Sequence, residues 1–444
     1  MMFLLANATY RRLLLAQVVA LVGTGLLTVA LGLLAYDLAG GSAGAVLGTA
    51  LAIKMVVYIG IAPVVGAYAD RLPRRGFLVA MDIVRAGVAA FLPFVDSVWQ
   101  IYALIFVLQS ASAAFTPTFQ ATIPDILPDE RDYTRALSLS RLAYDLESLL
   151  SPMLAALLLS VMSFHWLFSG TAIGFVGSAL LVMATVLPKP AEAAPRSDGI
   201  YARTTRGIRF YLATPRLRGL LAINLAAAAA SAMVIVNTVV IVRDGLGRGT
   251  QDVAFALAAY GGGSMLAAFA LPRLLERLSD RHVMLAAAAV LTTALATMAA
   301  ITSSLPFGEP YWRLLLGGWF VLGIAYSMSI TPSGRLLRRS ANASDRPAIF
   351  AAQFALSHAC WLIAYPLAGN IGAGPGMVSA FAAMAVLAAA GTTAALAIWP
   401  SNDPDLVEHS HDELAADHPH LLEGHADGQG HSFVIDDEHP RWPR

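Results

Sequence analysis

The sequence predicts an all-α membrane protein with twelve transmembrane helices, arranged as two pseudo-symmetric halves of six. Three observations lead to this prediction. Charged residues make up only 13% of the 444 residues, against about a quarter in soluble domains. Apolar runs long enough to cross a bilayer recur along the chain, and the mean hydropathy is +0.65. Short motifs of the first half also return, in the same order, in the second half.

The apolar runs give the number of helices. A run of about eighteen residues or more crosses a bilayer as a helix, because a helix satisfies its own backbone hydrogen bonds in lipid. The first run lacks a clear cleavage site, so we expect no removed signal peptide. The single cysteine, Cys360, excludes an internal disulfide and a cysteine-rich zinc module. The twelve predicted spans are 13–36, 43–67, 77–95, 99–123, 137–161, 164–187, 217–242, 250–272, 282–304, 311–332, 347–369 and 375–399.

The distribution of basic residues predicts the orientation. If both termini are cytoplasmic, the inner segments hold 24 of the 29 lysines and arginines, and the outer loops hold three. Such an excess on one side is typical of cytoplasmic loops. The zero net charge hides a second asymmetry, because residues 401–444 carry eleven acids and two arginines. The membrane part is therefore basic and the tail is acidic.

Three short motifs indicate a duplication. The stretch DRLPRR at 70–75 follows the second span, and ERLSDR at 276–281 follows the eighth. FTP at 115–117 matches ITP at 330–332, and SP at 151–152 matches YP at 365–366. Similar offsets and matching span order predict two related six-helix units, which is a common transporter plan.

These boundaries divide the chain into four parts. We predict a first half at 1–187, a cytoplasmic linker at 188–216, a second half at 217–399 and a cytoplasmic tail at 400–444. The end of the linker, YARTTRGIRFYLATPRLR, fits either a basic amphipathic helix on anionic lipid headgroups or a solvated basic segment.

The loop after the second span carries a recognisable motif, GAYADRLPRR. It fits the signature G-x-x-x-D-R-x-G-R-R/K of the major facilitator superfamily, with Pro73 in the place of the usual glycine. On this motif and its weaker copy at 276–281, the chain resembles that superfamily over about residues 10–400. Two charges in the third span, Asp82 and Arg85, resemble the superfamily's drug and siderophore exporter branch. The matching residues of the signature are Gly66, Asp70, Arg71, Arg74 and Arg75.

The resemblance implies a secondary transporter that works by alternating access. It implies a gating role for the loop, in which Asp70 and the arginines lock the halves together on the cytoplasmic side; anchoring the loop is the simpler alternative. The expected protein is a proton-coupled exporter, a monomer, in the bacterial inner membrane. The R-x-x-x-Q-G motif of many proton–drug antiporters is missing from the fourth span, which reads IYALIFVLQSASAAF.

Ionisable residues inside the spans are candidates for coupling, because charges at bilayer depth are costly and usually mark pathways or ion pairs. Residue counts place Lys54, Asp145, Glu147 and His358 about 12 to 18 Å deep. Lys54 is expected to pair with Asp145 or with Glu147. The pair acts either in proton coupling or as a static tie between helices. Arg141, four residues before Asp145, is a rival partner for that carboxylate. Asp82 and Arg85 join this set.

The tail holds seven of the ten histidines. Imidazole suits nickel, cobalt and zinc ions, so the tail is a candidate metal-binding segment; a solvated acidic tail is the alternative. The composition resembles the nickel-resistance branch of the superfamily. The apolar stretch FVIDDEHPRW is expected to dock on the inner face. The candidate ligands are His409, His411, His418, His420, His425, His431 and His439.

The sequence therefore favours an exporter of a small organic compound, drug-like or siderophore-like, or of a divalent metal ion. If the substrate is a divalent metal ion, the tail is expected to buffer or sense that metal. Membrane lipid, protons and the substrate are the expected partners, with no nucleic acid and no resident cofactor. An enzyme is not expected, because H-E-x-x-H, G-x-S-x-G and the phosphate loop G-x-x-x-x-G-K-[ST] are all missing. A metal sensor anchored by the bundle remains a third class.

Overall fold

The computed structural model describes residues 7–68, 73–127, 129–187, 200–342 and 345–403, together with 406–407, 431–432, 434–435 and Trp442. Within these residues the chain forms fourteen α-helices, and twelve of them have eighteen residues or more. The helices of the first half are α1 Ala8–Ala39, α2 Ala43–Tyr68, α3 Arg74–Phe91, α4 Val98–Ile126, α5 Glu130–Leu159 and α6 His165–Met183.

A linker helix, α7, spans Ile200–Ala213 and precedes the second half. The helices of the second half are α8 Pro215–Val240, α9 Thr250–Leu275, α10 Asp280–Ser304, α11 Glu309–Ile330, the short α12 Ser333–Arg339, α13 Arg346–Ala373 and α14 Met377–Ile398. Two short strands follow, β1 Leu406–Val407 and β2 His431–Ser432, and they pair antiparallel.

Local signals fix several of these boundaries. Asn7 caps α1, because its side chain accepts hydrogen bonds from the backbone N–H groups of Thr9 and Tyr10. The helix ends at Gly40, whose φ of 52° is a conformation that favours glycine. Pro215 occupies the first turn of α8, where its missing N–H costs no hydrogen bond.

Ten stretches of the described chain are long and apolar enough to cross a membrane. The first of them, Ala8–Ala62, contains α1 and most of α2. Of the twelve long helices, α5 lies outside these stretches, and it carries seven charged residues. The prediction of an all-α membrane fold with two six-helix halves is confirmed, with a two-residue strand pair added near the C-terminus.

The two halves pack their helices in the same way. In the first half α1 contacts α5 and α6, α2 contacts α4, and α3 contacts α6. In the second half α8 contacts α13 and α14, α9 contacts α11, and α10 contacts α14. Each of these contacts in one half has its counterpart at the same position in the other, as the repeated motifs predict.

The halves meet mainly along two helix pairs, α2 with α13 and α5 with α9, and α8 adds smaller contacts to α1 and α2. Glycines let α2 and α13 approach at backbone distance. A methyl group added at Gly48 would lie 2.5 Å from the carbonyl oxygen of Tyr365, and one added at Gly44 would lie 2.7 Å from Oδ1 of Asn237. Small residues at such crossings are typical of membrane helix packing.

The linker helix α7 packs on protein. Its Phe210 and Tyr211 are fully buried, and the Tyr211 hydroxyl donates to Gln353 on α13. Arg206 pairs with Asp345 at 3.2 Å. The amphipathic segment of the linker is thus a helix whose apolar face covers the beginning of α13.

Candidate transport site between the two halves

A charged cluster lies on the first half where it faces the second. The charges of Lys54 on α2 and Glu147 on α5 act on each other, and the hydroxyl of Ser151, one turn further along α5, lies beside Glu147. Gly25 on α1 leaves the room for this arrangement, because a methyl group there would lie 2.8 Å from Oε1 of Glu147. Three helices of the first half therefore build the site around a glycine.

The second half contributes His358 and Phe354 to the same cluster, where both rings contact Tyr58 of the first half. His358 on α13 stacks on the ring of Tyr58, with centroids 5.7 Å apart and planes within 6° of parallel. Phe354 completes a triangle of rings, with its centroid 4.0 Å from that of His358 and 6.0 Å from that of Tyr58. The ammonium of Lys54 lies 5.8 Å from the centre of the Tyr58 ring, within range of a cation–π contact. The charge of Lys54 also acts on His358.

The structure thus brings Lys54, Glu147 and His358 together, as their equal predicted depth suggested. It selects Glu147 as a partner of Lys54. The side chains of Asp145 and Arg141 lie outside the described residues, although their backbone is part of α5. In a low-dielectric site the charge of each of these groups strongly affects its neighbours. A proton gained or lost by Glu147 or His358 would therefore change the electrostatic interaction of Lys54 with that group.

Cys360 lies two residues from His358 but belongs to another contact. Its sulfur is 3.9 Å from the carbonyl oxygen of Leu221 on α8 and 3.6 Å from that of Leu356. The ring nitrogen Nδ1 of His358 lies 2.7 Å from the carbonyl oxygen of Phe354. Within the described part of the chain, no group of three or more histidine, cysteine or acidic residues is placed to hold a metal ion.

Asp82 and Arg85 form a separate, closed pair on α3. Arg85 donates to Asp82 and its guanidinium lies between two rings, 4.3 Å from the centroid of Phe115 and 4.5 Å from that of Phe175. Ser178 on α6 donates to the other oxygen of Asp82 at 2.7 Å. Both charged side chains are buried. These partners tie α3, α4 and α6 together inside the first half, away from the Lys54 cluster.

The structure describes part of the loop motif. Gly66 lies in the last turns of α2, whereas Asp70 and Arg71 lie outside the described residues. Arg74 is buried and pairs with Asp125 near the end of α4. Arg75 donates to the backbone carbonyl of Met183 at the end of α6. An arginine at a helix C-terminus satisfies free carbonyl groups and complements the helix dipole.

Two contacts between the halves lie at the predicted outer end, and the sequence did not predict them. The amide of Asn237 on α8 donates to the carbonyl of Ala368 on α13 at 3.0 Å and abuts Gly44 of α2. The guanidinium of Arg243, just after α8, lies 5.3 Å from the ring centre of Tyr36 near the end of α1. An asparagine in an apolar run and an arginine in an outer loop are the only signals for them.

The structure describes only a few residues of the tail, and most of the candidate histidine ligands lie outside the described residues. His431 belongs to β2, and the other six tail histidines lie outside the described residues. Val434 and Ile435 are buried, with Ile435 in the main apolar core. Trp442 lies 5.0 Å from the guanidinium of Arg216. The stretch expected to dock therefore contacts the second half.

An arginine cluster anchors the start of the tail. Asp403 accepts from Arg216 at 3.2 Å and from Arg339 at 3.4 Å, and the indole of Trp399 donates to it at 3.0 Å. Arg281 in turn donates to the carbonyl of Trp399. The carboxylate of Asp403 thus joins the beginning of α8 to the end of α12, and the carbonyl of Trp399 adds the beginning of α10.

Known proteins match this fold and its duplication. The family profile of the Major Facilitator Superfamily matches residues 13–247 and again 219–425. Macrolide efflux protein A of Enterococcus faecalis is 24% identical over 167 residues, which is 35% of this chain and 51% of that protein. The MFS-type transporter YfiS of Bacillus subtilis is 28% identical over 131 residues, covering 30% of this chain and 31% of YfiS. The matched region thus spans about half of the first relative and a third of the second.

Solved structures share the fold. The nucleoside transporter NupG superposes with a TM-score of 0.68 at 13% identity, over 88% of this chain and all of that one. A bacterial homologue of the lysosomal transporter Spinster, inward-facing and unoccupied, gives 0.67 at 12% identity over 88% and 97%. At such identities the likeness concerns the fold alone. Together with the family match along nearly the whole membrane region, it identifies the chain as a multi-pass membrane transporter, not an enzyme, that belongs to the Major Facilitator Superfamily.

Proposed function

We propose that this chain is a proton-coupled exporter of bulky organic compounds that works by alternating access. The observation that carries the proposal is the Lys54–Glu147–His358 cluster, in which titratable groups of both halves meet at membrane depth. Ionisable groups inside a membrane usually serve ion or substrate pathways. The relatives named macrolide efflux protein A support export and an organic substrate.

The coupling step follows from the charges. With Glu147 ionised, its attraction holds Lys54 within the first half, beside Tyr58. A proton on Glu147 removes that attraction and frees the ammonium to act on the row of Tyr58 and His358. Since this row joins α2 to α13, a change in the charge of Glu147 alters the contact that must open when the halves rock. Proton uptake and rocking are thereby linked.

The orientation follows from the basic residues. We propose that both termini are cytoplasmic, that the host membrane is the bacterial inner membrane, and that the transporter acts as a monomer. On this topology Gly44, Asn237 and Arg243 close the outer side. The loop motif of Arg74 and Arg75 lies at the cytoplasmic side, where we propose that it also gates.

Export of nickel, cobalt or zinc is the alternative, with the histidine-rich tail as a metal buffer or sensor. The tail composition is the feature that favours it. The ammonium of Lys54 beside the carboxylate of Glu147 opposes it, because a fixed positive charge repels a divalent cation at short range. We therefore place the organic substrate first.

The test is transport by the purified full chain in proteoliposomes with an imposed pH gradient, using a radiolabelled macrolide and, separately, nickel, cobalt and zinc. We expect gradient-driven macrolide movement that a protonophore abolishes. Lys54→Met and Glu147→Gln should each lower it at least about tenfold. Asp96→Asn, which changes an exposed carboxylate in the loop between α3 and α4, should leave it unchanged.

Three results would overturn parts of the proposal. Macrolide transport by the wild type that does not depend on the pH gradient would overturn the proposal of proton coupling. Proton coupling that is unchanged in Glu147→Gln would show that the cluster is not the site of coupling. Movement of the metal ions in place of the macrolide establishes the alternative.

A further inference from the structure

A cluster of tyrosines occupies the second half at membrane depth. Tyr260 of α9 and Tyr326 of α11 have ring centroids 5.8 Å apart, with planes tilted by 48°. Tyr365 of α13 and Ser231 of α8 belong to the same cluster, since both lie near enough to act on the electrostatics of these phenols. Four helices thus bring three phenols and one hydroxyl together, and none of these side chains carries a charge at neutral pH.

One of these hydroxyls has no hydrogen-bond partner among the residues that the structure describes. The phenol oxygen of Tyr260 is buried and lies near Ser231, yet it has no partner at hydrogen-bond distance in the described part of the chain. Buried polar groups are almost always hydrogen-bonded, and an exception needs an explanation. A phenol is both a donor and an acceptor, so the hydroxyl of Tyr260 is able to bond an oxygen or nitrogen atom of a bound compound.

The helices that carry the tyrosine cluster adjoin the first half. Three of its four helices contact that half, since α13 packs on α2, α9 packs on α5 and α8 contacts α1 and α2. Tyr365 lies at the contact itself, because its carbonyl oxygen abuts Gly48. When SP at 151–152 is aligned with YP at 365–366, Tyr365 corresponds to Ser151, which lies beside Glu147 in the first half. The two halves therefore present unlike walls at matching positions, one charged and one phenolic.

We propose that the tyrosine cluster is the wall of the substrate site that selects the cargo, and that it recognises carbonyl, ether or hydroxyl oxygens on a bulky, largely apolar organic compound. The phenols supply hydrogen bonds to the oxygens, and the ring faces cover apolar surface. This inference rests on the proposed function and assigns a chemical class to its substrate.

The same chemistry disfavours a metal ion at this wall. Nickel, cobalt and zinc prefer imidazole, thiolate or carboxylate ligands, whereas these phenols are neutral. An oxygen-rich lactone such as a macrolide offers the acceptors that the phenols lack. The inference therefore separates the two candidate cargoes by ligand chemistry, independently of the coupling residues.

The experiment measures binding of a radiolabelled macrolide to the purified full chain. Tyr260→Phe and Tyr365→Phe keep the ring and remove one hydroxyl each. We expect each to raise the Kd about 3- to 10-fold, the effect of one hydrogen bond, and to leave the pH dependence of transport unchanged. Tyr311→Phe is the matched control, because Tyr311 is a buried tyrosine of the same half that bonds Thr302 at 2.9 Å, and its Kd should stay at the wild-type value.

The outcomes separate this inference from the proposed function. A wild-type Kd in Tyr260→Phe and Tyr365→Phe, with gradient-driven transport intact, overturns the inference alone. A wild type that neither binds nor moves the macrolide overturns both. Should either variant lose the folded peak in size-exclusion chromatography, Ser231→Ala gives the same test from the other side of the cluster, with the same expected rise in Kd.

Discussion

The imidazole of His358 stacks on the phenol ring of Tyr58 at 5.7 Å, almost parallel, and so joins α13 of the second half to α2 of the first. The contact lies beside Lys54, whose ammonium faces Tyr58. Any rocking of one half against the other must separate or slide these two rings. The geometry therefore connects the charged cluster directly to the movement that transport requires.

Tyr58→Ala removes the ring that joins the halves. We expect transport to fall at least tenfold, because stacking and cation–π contacts are both lost. Tyr58→Phe keeps the ring and should retain most of the transport rate. Equal rates for the two variants in the proteoliposome assay would show that the stack has no part in the cycle.

Gly25→Ala tests the room beside Glu147. An added methyl group would overlap the side chain of Ser151 and approach Glu147. We expect a loss of about 1–3 kcal/mol in stability, as for other overpacked sites, and impaired coupling. Gly60→Ala is the matched control, since no atom lies within 4 Å of a methyl group there. Thermal unfolding should separate the two variants, and rescue of Gly25→Ala by Ser151→Gly should identify the clash; equal melting temperatures for Gly25→Ala and Gly60→Ala would contradict it.

Asp82→Asn tests whether the buried pair on α3 is structural. The change leaves Arg85 buried between two phenylalanines without its counter-charge, and breaking a buried ion pair costs about 3–5 kcal/mol. We expect a lowered Tm but an unchanged ratio of protons to substrate in the protein that folds. A changed ratio at normal Tm would place the pair in coupling instead.

Asp403→Asn tests the anchor of the tail. It weakens the contacts to Arg216 and Arg339, so we expect a lower Tm and faster protease cleavage of the tail. Truncation of residues 405–444 leaves Asp403 in place, and we expect transport to persist with altered metal tolerance. Complete loss of function on truncation would favour the sensor class over an exporter.

Much of the fold was predictable because its signals are local. Apolar runs, loop arginines and repeated motifs gave the two halves, and residue counts gave Lys54, Glu147 and His358 a common depth. These features depend on the transfer of single helices into lipid, which hydropathy measures directly. The strand pair at 406–407 and 431–432 escaped prediction, because two-residue strands leave no pattern.

The sequence by itself determined a polytopic transporter with ionisable groups at membrane depth. Only the tertiary structure decided that Lys54 lies near Glu147, that Asp82 pairs with Arg85, and that tyrosines of three different helices lie together. The physical reason is that hydropathy fixes which residues enter the bilayer, while helix packing fixes which faces meet. Packing depends on backbone approach at positions such as Gly25, Gly44 and Gly48, whose partners lie a hundred or more residues away.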